Sequence, residues 1–308
     1  MSEPLVRVIV PASTANLGPG FDALGMALRL YSVVEMRRSE ETVIVLEGQE
    51  LQGVPADKSN LIYQIAADLF RRASLPVPEL FIRASSEAPL TRGLGSSAAA
   101  IVGALVAANQ LAGEPFARQQ LFDMATEYEG HPDNVGASLF GGIVVAMAPE
   151  KQGESVPYIR LEPPKDLQAL VVIPEFALST EKARNVLPHV YSKQDVIYNV
   201  GHSSLLVAAL AQGRLDLLGK AMGDRLHQPY RAELVPGLRE ILDEAMQHGA
   251  VGAALSGAGP TILCFVASEE GRKQVEGFVD KVMTGHGISY RTMALQPDVH
   301  GVQIEIQK

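Results

Sequence analysis

The segment Pro89-Leu90-Thr91-Arg92-Gly93-Leu94-Gly95-Ser96-Ser97-Ala98-Ala99-Ala100 constrains this chain more than any other stretch. Its two glycines allow backbone angles that other residues avoid, and its serines lead into an alanine-rich run that predicts a helix over about 96–111. The first turn of a helix has unpaired N–H groups and the positive end of the dipole, so the segment predicts a phosphate site. A serine-capped helix without a ligand is the alternative that this segment alone leaves open.

Two common nucleotide-binding loops fit this segment poorly. The Gly-x-x-x-x-Gly-Lys pattern of the Walker loop is absent. Gly93, Gly95 and Ala98 do match the Gly-x-Gly-x-x-Ala pattern of dinucleotide folds, and Glu114 follows near the position of the acidic residue in those folds. Such a fold needs its acid at the end of a strand, whereas Glu114 lies between two predicted helices. The sequence therefore disfavours a dinucleotide site.

Three further segments place polar residues in loops. Residues 11–25 form a glycine-punctuated loop with Asn16 and Asp22, and residues 127–136 hold five polar functional side chains after a helix. Residues 256–261 form a small-residue turn between two apolar strands. Such loops could grip a polar substrate, and a carboxylate in the second could hold Mg²⁺. Asn and Asp often only shape turns, so each segment taken singly has that alternative.

Hydrophobic periodicity predicts a mixed fold. Apolar runs predict strands at 6–12, 28–36, 42–47, 79–84, 141–148, 167–173, 251–255, 261–266 and 289–295. Helical spacing predicts helices after a cap at Ser59, over 96–111, from Pro115 to Tyr128, and over 193–211, 214–222, 238–248 and 269–283. Strict βαβ alternation is rare, which favours two α+β layers. The charged, proline-containing region 153–166 is the best boundary, giving domains 1–160 and 161–308.

Composition excludes several functional classes. The 308 residues are 47% hydrophobic with a net charge of −9, no basic run and no tryptophan, so a nucleic-acid partner is not expected. The single cysteine, Cys264, lies in an apolar run and is predicted to be a buried core thiol. We find no signal-peptide pattern and no apolar run of about 20 residues. We therefore expect a cytoplasmic protein without a membrane partner.

The four segments, in this order, resemble the GHMP kinase family. Residues 89–99 are similar to its central Pro-x-x-x-Gly-Leu-Gly-Ser-Ser-Ala-Ala motif. Within the family, residues 11–25, 131–134 and 229–231 resemble the branch that phosphorylates the hydroxyl of L-homoserine in threonine biosynthesis. The resemblance implies a ribosomal-protein-S5-like N-terminal domain, a ferredoxin-like C-terminal domain and, since dimers are common in the family, a possible homodimer.

The resemblance also implies a Mg²⁺·ATP site. Its cofactor-binding residues would be Pro89, Arg92, Gly93, Leu94, Gly95, Ser96, Ser97, Ala98 and Ala99. Ser97 and a glutamate would hold the metal. Glu127 is the better candidate because it lies on the preceding helix, and Glu129, two residues on, stays open.

For the substrate, the resemblance implies a set of polar groups around homoserine: Asn16, Asp22, His131, Asp133, Asn134, Arg184, Arg231 and Gly257. Arg184 and Arg231 would bind the carboxylate, which suits the guanidinium fork. Asn134 and Thr180 would assist direct phosphoryl transfer without a strong general base. A kinase for another small alcohol, or a non-catalytic ligand-sensing relative, is the alternative. A neutral sugar substrate would need no pair of arginines.

Overall fold

The computed structural model describes residues 4–151 and 153–307. In those residues the strands, β1 to β11 in chain order, are Leu5–Ala15, Leu24–Arg38, Val43–Glu47, Leu80–Ser86, Ile143–Ala146, Tyr158–Leu161, Gln168–Pro174, Gly252–Leu255, Ile262–Val266, Tyr290–Leu295 and Gln303–Gln307. The α-helices there, α1 to α10, are Leu61–Arg72, Ser96–Leu111, Arg118–Glu129, Pro132–Phe140, Thr180–Asn185, Lys193–Ala211, Leu218–Ala221, Gln228–Arg231, Leu238–Glu244 and Glu269–Gly285. Short 3₁₀ turns lie at Gln49–Leu51, Leu215–Leu217, Ala232–Leu234 and Ala245–His248.

Two sheets organise the described residues. The first has the order β11-β1-β2-β4-β3, with β5 paired to β2 and β6 paired to β5. Its pairs are antiparallel except β3 with β4, which is parallel. The second sheet has the order β10-β7-β9-β8 and is antiparallel throughout. The predicted α+β class is therefore confirmed.

Helix α2 is the central helix of the first half. Eleven of its sixteen residues are buried, because it packs on β1 and β2 on one side and contacts α1, α3 and α4 elsewhere. Its run of alanines keeps the helix thin, and Gly103 lets it lie close to Val34 on β2. The helix begins at Ser96, after Gly95 in the left-handed conformation, so its first turn opens at the end of β1.

The two sheets share one hydrophobic cluster. Leu17, Leu24 and Met26 of the first half pack with Leu263 and Phe265 on one face of the second sheet. The opposite face of that sheet is covered by α9 and α10. This packing brings the loops at the end of β1 and the start of α2 against the turn between β8 and β9.

Several local predictions were wrong. Asn60, rather than Ser59, caps α1 by accepting the N–H of Ile62 at 2.9 Å. Helix α3 begins at Arg118 instead of Pro115, because the side chain of Asn109 holds both the N–H and the carbonyl oxygen of Phe116. Helix α4 was missed, since all nine of its residues are buried and it shows no polar face.

The predicted boundary region contains part of the first sheet. Strand β6 lies within residues 153–166 and pairs with β5. Strand β11 was not predicted, and it returns to the first sheet, with Val8 opposite Ile304. The division into 1–160 and 161–308 therefore does not account for this last strand. Among the described residues, none of the helices has the length and hydropathy needed to cross a bilayer.

Candidate active site

A cavity of about 130 Å³ lies where the two halves meet. Its walls come from the 11–25 loop, the start of α2, the end of α3, the start of α4, helix α5 and the turn after β8. The lining residues are Ala15, Asn16, Phe21, Asp22, Thr91, Gly93, Gly95, Ser96, Ser97, Glu129, His131, Asp133, Asn134, Leu178, Thr180, Arg184, Arg231, Gly257, Ala258 and Gly259. The structure thus brings the four polar segments predicted from the sequence together. We call this space the main cavity.

Residues 93–97, the glycine loop, are clamped between β1 and the 256–261 turn. The backbone N–H of Ser13 donates to the carbonyl of Leu94 at 3.2 Å, and the Ser256 hydroxyl donates to the carbonyl of Gly93 at 2.5 Å. Gly93 and Gly95 both have positive φ, and a Cβ on Gly93 would overlap the backbone of Ser256. Only glycine fits there, so the loop can present the first-turn N–H groups of α2 to the main cavity.

Five residues of the predicted phosphate motif do not line this cavity: Pro89, Arg92, Leu94, Ala98 and Ala99. Arg92 instead donates to the carbonyls of Leu90, Pro174 and Glu175, which ties the glycine loop to the end of β7. Leu94, Ala98 and Ala99 are fully buried in the core. Gly93, Gly95, Ser96 and Ser97 are thus the predicted phosphate-site residues that line the main cavity.

Glu129, not Glu127, faces Ser97. The Ser97 hydroxyl donates to Glu129 Oε2 at 3.0 Å, at the mouth of the first turn of α2. Glu127 instead pairs with Arg72 at 2.7 Å and its side chain is 47% exposed. Burial raises the pKa of Glu129, while the charge of His131 and the Ser97 hydrogen bond oppose that rise. A partly desolvated carboxylate beside a hydroxyl is an oxygen-rich arrangement that suits Mg²⁺.

His131 is a cation of the cavity wall. Its Nδ1 lies 2.6 Å from Asp133 Oδ1, which also accepts the backbone N–H of Asn134 at 2.7 Å. Burial lowers the pKa of His131, but the hydrogen bond to Asp133 and the charges of Asp133, Glu129 and Asp22 outweigh it and raise the pKa to about 9. The ring therefore carries a proton at neutral pH, and it is unsuited to act as a general base.

Asn134 is held by a chain of buried hydroxyls. Its side-chain N–H₂ donates to Ser13 Oγ at 3.0 Å, and the Ser138 hydroxyl donates to the same oxygen at 3.2 Å. The side-chain oxygen of Asn134 has no hydrogen-bond partner among residues 4–151 and 153–307, and the residue lines the main cavity. Thr180, at the start of α5, lines the same cavity.

The opposite wall is built by the Asn16–Asp22 loop and two arginines. Asn16 and Asp22 have positive φ, and the Asn16 side chain bridges the N–H of Asp22 and the carbonyl of Gly257 at 3.0 Å each. Arg184 grips the Asp22 carboxylate with both Nη atoms, at 2.9 and 3.0 Å. Arg231 is 2% exposed, and burial together with the charge of Arg184 lowers its pKa to about 10. The wall therefore carries two cations and one carboxylate.

A second, mostly apolar cavity of about 250 Å³ adjoins the glycine loop and shares Thr91, Ser96 and Ser97 with the main cavity. We call it the apolar cavity. It is also lined by Ser32, Val33, Val34, Leu46, Leu51, Val54, Asn60, Leu61, Ile62, Ala84, Ser85, Ser86, Leu90 and Ala100. Sequence reasoning missed it, because its walls come from β2, β3, β4 and α1. The signal available in the sequence was the apolar character of Val33 and Leu46 within the predicted strands 28–36 and 42–47.

Comparison with known proteins matches both halves. Residues 60–142 match the GHMP kinases N terminal domain, and residues 206–285 match the GHMP kinases C terminal domain. A homoserine kinase of Deinococcus radiodurans is 47% identical over 310 residues, covering 100% of both chains. The chain belongs to the GHMP kinase family. The resemblance inferred from the sequence is confirmed.

Further relatives cover nearly the full length of this GHMP kinase. A homoserine kinase of Desulfitobacterium hafniense is 44% identical, covering 97% of this chain and 100% of that protein. The crystal structure of homoserine kinase from Cytophaga hutchinsonii superposes with a TM-score of 0.87 at 27% identity, covering 98% of this chain and 97% of the other. The predicted GHMP fold is therefore confirmed over both halves.

Proposed function

We propose that this GHMP kinase transfers the γ-phosphoryl group of ATP to the side-chain hydroxyl of L-homoserine, which gives O-phospho-L-homoserine and ADP. The names of its full-length relatives support this assignment. The observation that carries it is the composition of the main cavity, where groups for a carboxylate and an ammonium lie opposite a phosphate-binding helix start.

The substrate end of the cavity suits a small zwitterion. Arg231 and Arg184 provide guanidinium groups for the α-carboxylate. Asp22, already paired with Arg184, can accept the α-ammonium on its cavity side, and the Asn16 side chain keeps the loop of Asp22 in place. A neutral sugar or simple alcohol would leave the buried Arg231 guanidinium without a counter-charge, which is costly. The site therefore favours an amino acid.

The nucleotide end consists of the glycine loop and the apolar cavity. The first-turn N–H groups of α2 suit the phosphates, and the protonated His131 adds positive charge. The apolar cavity, which shares Ser96 and Ser97 with the main cavity, suits the purine base. Ser97 and Glu129 would hold Mg²⁺, because their oxygens lie 3.0 Å apart and Glu129 is a partly desolvated carboxylate. The metal ion would neutralise charge that develops on the transferred phosphates.

The reaction depends mainly on the alignment of the homoserine hydroxyl with the γ-phosphoryl group. A bond forms between the homoserine hydroxyl oxygen and the γ-phosphorus, the bond to the ADP oxygen breaks, and the hydroxyl proton leaves on a phosphoryl oxygen. The unpartnered side-chain oxygen of Asn134 and the hydroxyl of Thr180 are suited to orient the attacking hydroxyl. Because His131 is already protonated, it cannot take the hydroxyl proton, and the proposed mechanism relies on alignment and charge stabilisation.

An ADP-release assay with Mg²⁺·ATP tests the proposed function. We expect turnover with L-homoserine and a kcat/KM at least about tenfold lower with L-serine, which places its hydroxyl one carbon closer to the charged groups. Glycerol and mevalonate should give no turnover above background. Turnover restricted to a different alcohol would refute the substrate assignment and leave the kinase class intact. Nucleotide binding without turnover of any alcohol would instead favour a ligand-sensing role.

The homodimer expected from the resemblance stays a prediction. It is tested by sedimentation equilibrium of the purified chain, where a mass near twice 33.0 kDa is the expected result. A mass near 33.0 kDa over the concentration range of the assay would contradict it.

A further inference from the structure

A buried histidine connects the Asn16–Asp22 loop to the arginine that faces the main cavity. His227 is 0% exposed and does not line that cavity. Its Nε2 lies 2.7 Å from the carbonyl oxygen of Gly18, and its Nδ1 lies 3.3 Å from Arg231 Nη1. One imidazole ring therefore touches both parts of the wall that would recognise an amino acid.

The hydrogen-bond partners of the two ring nitrogens fix its protonation, and the Asp224 carboxylate lies farther away, with Oδ2 3.6 Å from Nε2. A carbonyl oxygen can only accept a hydrogen bond, and a guanidinium can only donate. His227 must therefore donate from Nε2 to Gly18 and accept at Nδ1 from Arg231, which makes it a neutral imidazole. Burial lowers the pKa of His227, Arg231 lowers it further, and Asp224 opposes both. A second N–H on the ring would point at the guanidinium and break the contact.

The guanidinium of Arg231 is oriented by three acceptors. Its Nε donates to the carbonyl of Ala183 at 3.0 Å, and its Nη1 donates to the carbonyl of Gly257 at 3.0 Å as well as to His227. Within the described part of the chain, Nη2 has no hydrogen-bond partner, and Arg231 lines the main cavity. Phe21 stacks on His227 with ring centroids 5.1 Å apart and lies 5.3 Å from the Arg231 carbon Cζ. The free edge of the guanidinium is thus aimed by Ala183, His227 and Gly257, of which Gly257 alone lines the main cavity.

Asp224 fixes the position of the histidine in turn. Its buried carboxylate accepts the backbone N–H groups of Leu226 and His227, each at 2.9 Å, and of Gln228 at 2.7 Å. It also accepts from the side chain of Asn199, which donates to the carbonyl of Pro19 at 3.3 Å. The support behind the Asn16–Asp22 loop is therefore one connected polar network.

We propose that His227 is a positioning residue that sets the preference of this enzyme for substrates with an α-carboxylate. Its Nδ1 holds Arg231 for the carboxylate, and its Nε2–H holds the Gly18 backbone, which keeps Asp22 in place for the ammonium. The proposal rests on the proposed function, because it assigns a role to the arginine that would bind the homoserine carboxylate. His227 acts through Arg231 and the loop, and does not touch the substrate.

Two conservative variants separate these two contacts. His227→Gln places a side-chain N–H near the position of Nε2 and retains the contact with Gly18, but loses the acceptor for Arg231. His227→Asn places a side-chain oxygen near Nδ1 and retains the contact with Arg231, but releases Gly18. His248→Gln is the matched control, since His248 stacks on Phe278 at 4.2 Å in the second half of the chain, outside the site.

The measurements are the KM for L-homoserine, the KM for ATP, and the competitive inhibition constant of 3-aminopropan-1-ol, which is homoserine without its carboxylate. In His227→Gln we expect the homoserine KM to rise by about 10- to 100-fold, with the inhibition constant and the ATP KM unchanged. In His227→Asn both the homoserine KM and the inhibition constant should rise. The control should change none of the three.

Equal losses for homoserine and 3-aminopropan-1-ol in His227→Gln would overturn the proposal, and so would a parallel rise in the ATP KM. An unchanged homoserine KM in both variants would overturn it too. Melting temperatures show whether each variant is folded. If one variant is not folded, the other still tests the contact that it removes, which is the contact with Arg231 in His227→Gln and the contact with Gly18 in His227→Asn. If the unsubstituted protein phosphorylates only an alcohol without a carboxylate, the proposed function fails first, and the carboxylate role of His227 fails with it.

Discussion

At the scale of single residues, Glu127 and Glu129 show how a two-residue difference changes a role. Two positions along a helix turn the side chain by about 200°, so the two glutamates point in nearly opposite directions. Glu129 follows the buried Ala125 by four residues and lies on the face of α3 that meets α2. Glu127 lies on the outer face, where Arg72 neutralises it. The helical spacing of the buried residues of α3 therefore distinguishes Glu129, on the buried side, from Glu127, on the outer side.

Glu129→Gln should impair catalysis far more than Glu127→Gln. Loss of a carboxylate beside Ser97 removes charge that would hold Mg²⁺, so kcat/KM should fall on the order of 100-fold and the Mg²⁺ concentration for half-maximal activity should rise. Glu127→Gln breaks only an exposed ion pair, so activity should stay the same and stability should change by less than about 1 kcal/mol. A Mg²⁺ titration of ADP release compares the two variants. Equal effects would contradict the assignment of Glu129.

The sequence predicted which segments form the site better than which side chains face it. The predicted substrate-binding and catalytic residues all line the main cavity: Asn16, Asp22, His131, Asp133, Asn134, Thr180, Arg184, Arg231 and Gly257. Arg92 does not, because a flexible side chain takes the nearest carbonyls that the folded chain offers. His227 gave no signal, since its two partners lie on different segments that only the tertiary structure brings together.

At the scale of elements, predictions held where the local pattern decides the structure. Helix α2 has the predicted bounds, because alanine favours a helix and Gly113 ends it. Helix α4 is buried on every side, so the periodicity that reveals surface helices is absent. Strand β11 alternates isoleucine with polar residues, but all five of its residues are exposed and it is held by its ladder with β1. Such a strand is defined by its partner rather than by its own sequence.

Two glycine-to-alanine variants test how tightly α2 lies on the sheet. A Cβ on Gly103 would lie 2.7 Å from Val34 Cγ2, so the strain should exceed the gain in helix propensity and Gly103→Ala should destabilise the fold by about 1–2 kcal/mol. Gly277, in the exposed middle of α10, has no neighbouring atom within 4 Å of such a Cβ. Gly277→Ala should therefore stabilise by about 0.5–1 kcal/mol.

Urea denaturation monitored by circular dichroism measures both changes. If Gly103→Ala raised the urea midpoint as much as Gly277→Ala, there would be space for a methyl group between α2 and Val34. That result would contradict the close approach of α2 to β2.

At the scale of the whole molecule, the halves are joined by a common core. Leu17 and Met26 from the first half and Leu263 and Phe265 from the second belong to one buried cluster beneath the main cavity. Shared apolar burial of this kind couples the stability of both sheets. Cys264 lies between Leu263 and Phe265 on strand β9, with its side chain on the opposite face of the sheet.

Cys264 should report global unfolding. It is 0% exposed, and burial raises the pKa of its thiol to about 12, so the folded protein should not react with a disulfide reagent such as DTNB. In denaturant one thiol per chain should react, and the midpoint of labelling should coincide with the loss of circular dichroism. Saturating Mg²⁺·ATP should slow the labelling. Fast labelling of a protein with native circular dichroism would show that β9 opens locally, against this expectation.

The place of β11 beside β1 has a consequence for synthesis on the ribosome. Strand β1 leads into Ser13, Asn16 and the rest of the cavity wall, yet its outer hydrogen-bonding edge is completed only by residues 303–307. Chains generally begin to fold from the N-terminal side as they emerge. The outer edge of β1 therefore stays unpaired until residues 303–307 have been translated, after nearly all of the second half. Capacity for catalysis should therefore arise only once residues 303–307 have paired with β1, rather than domain by domain.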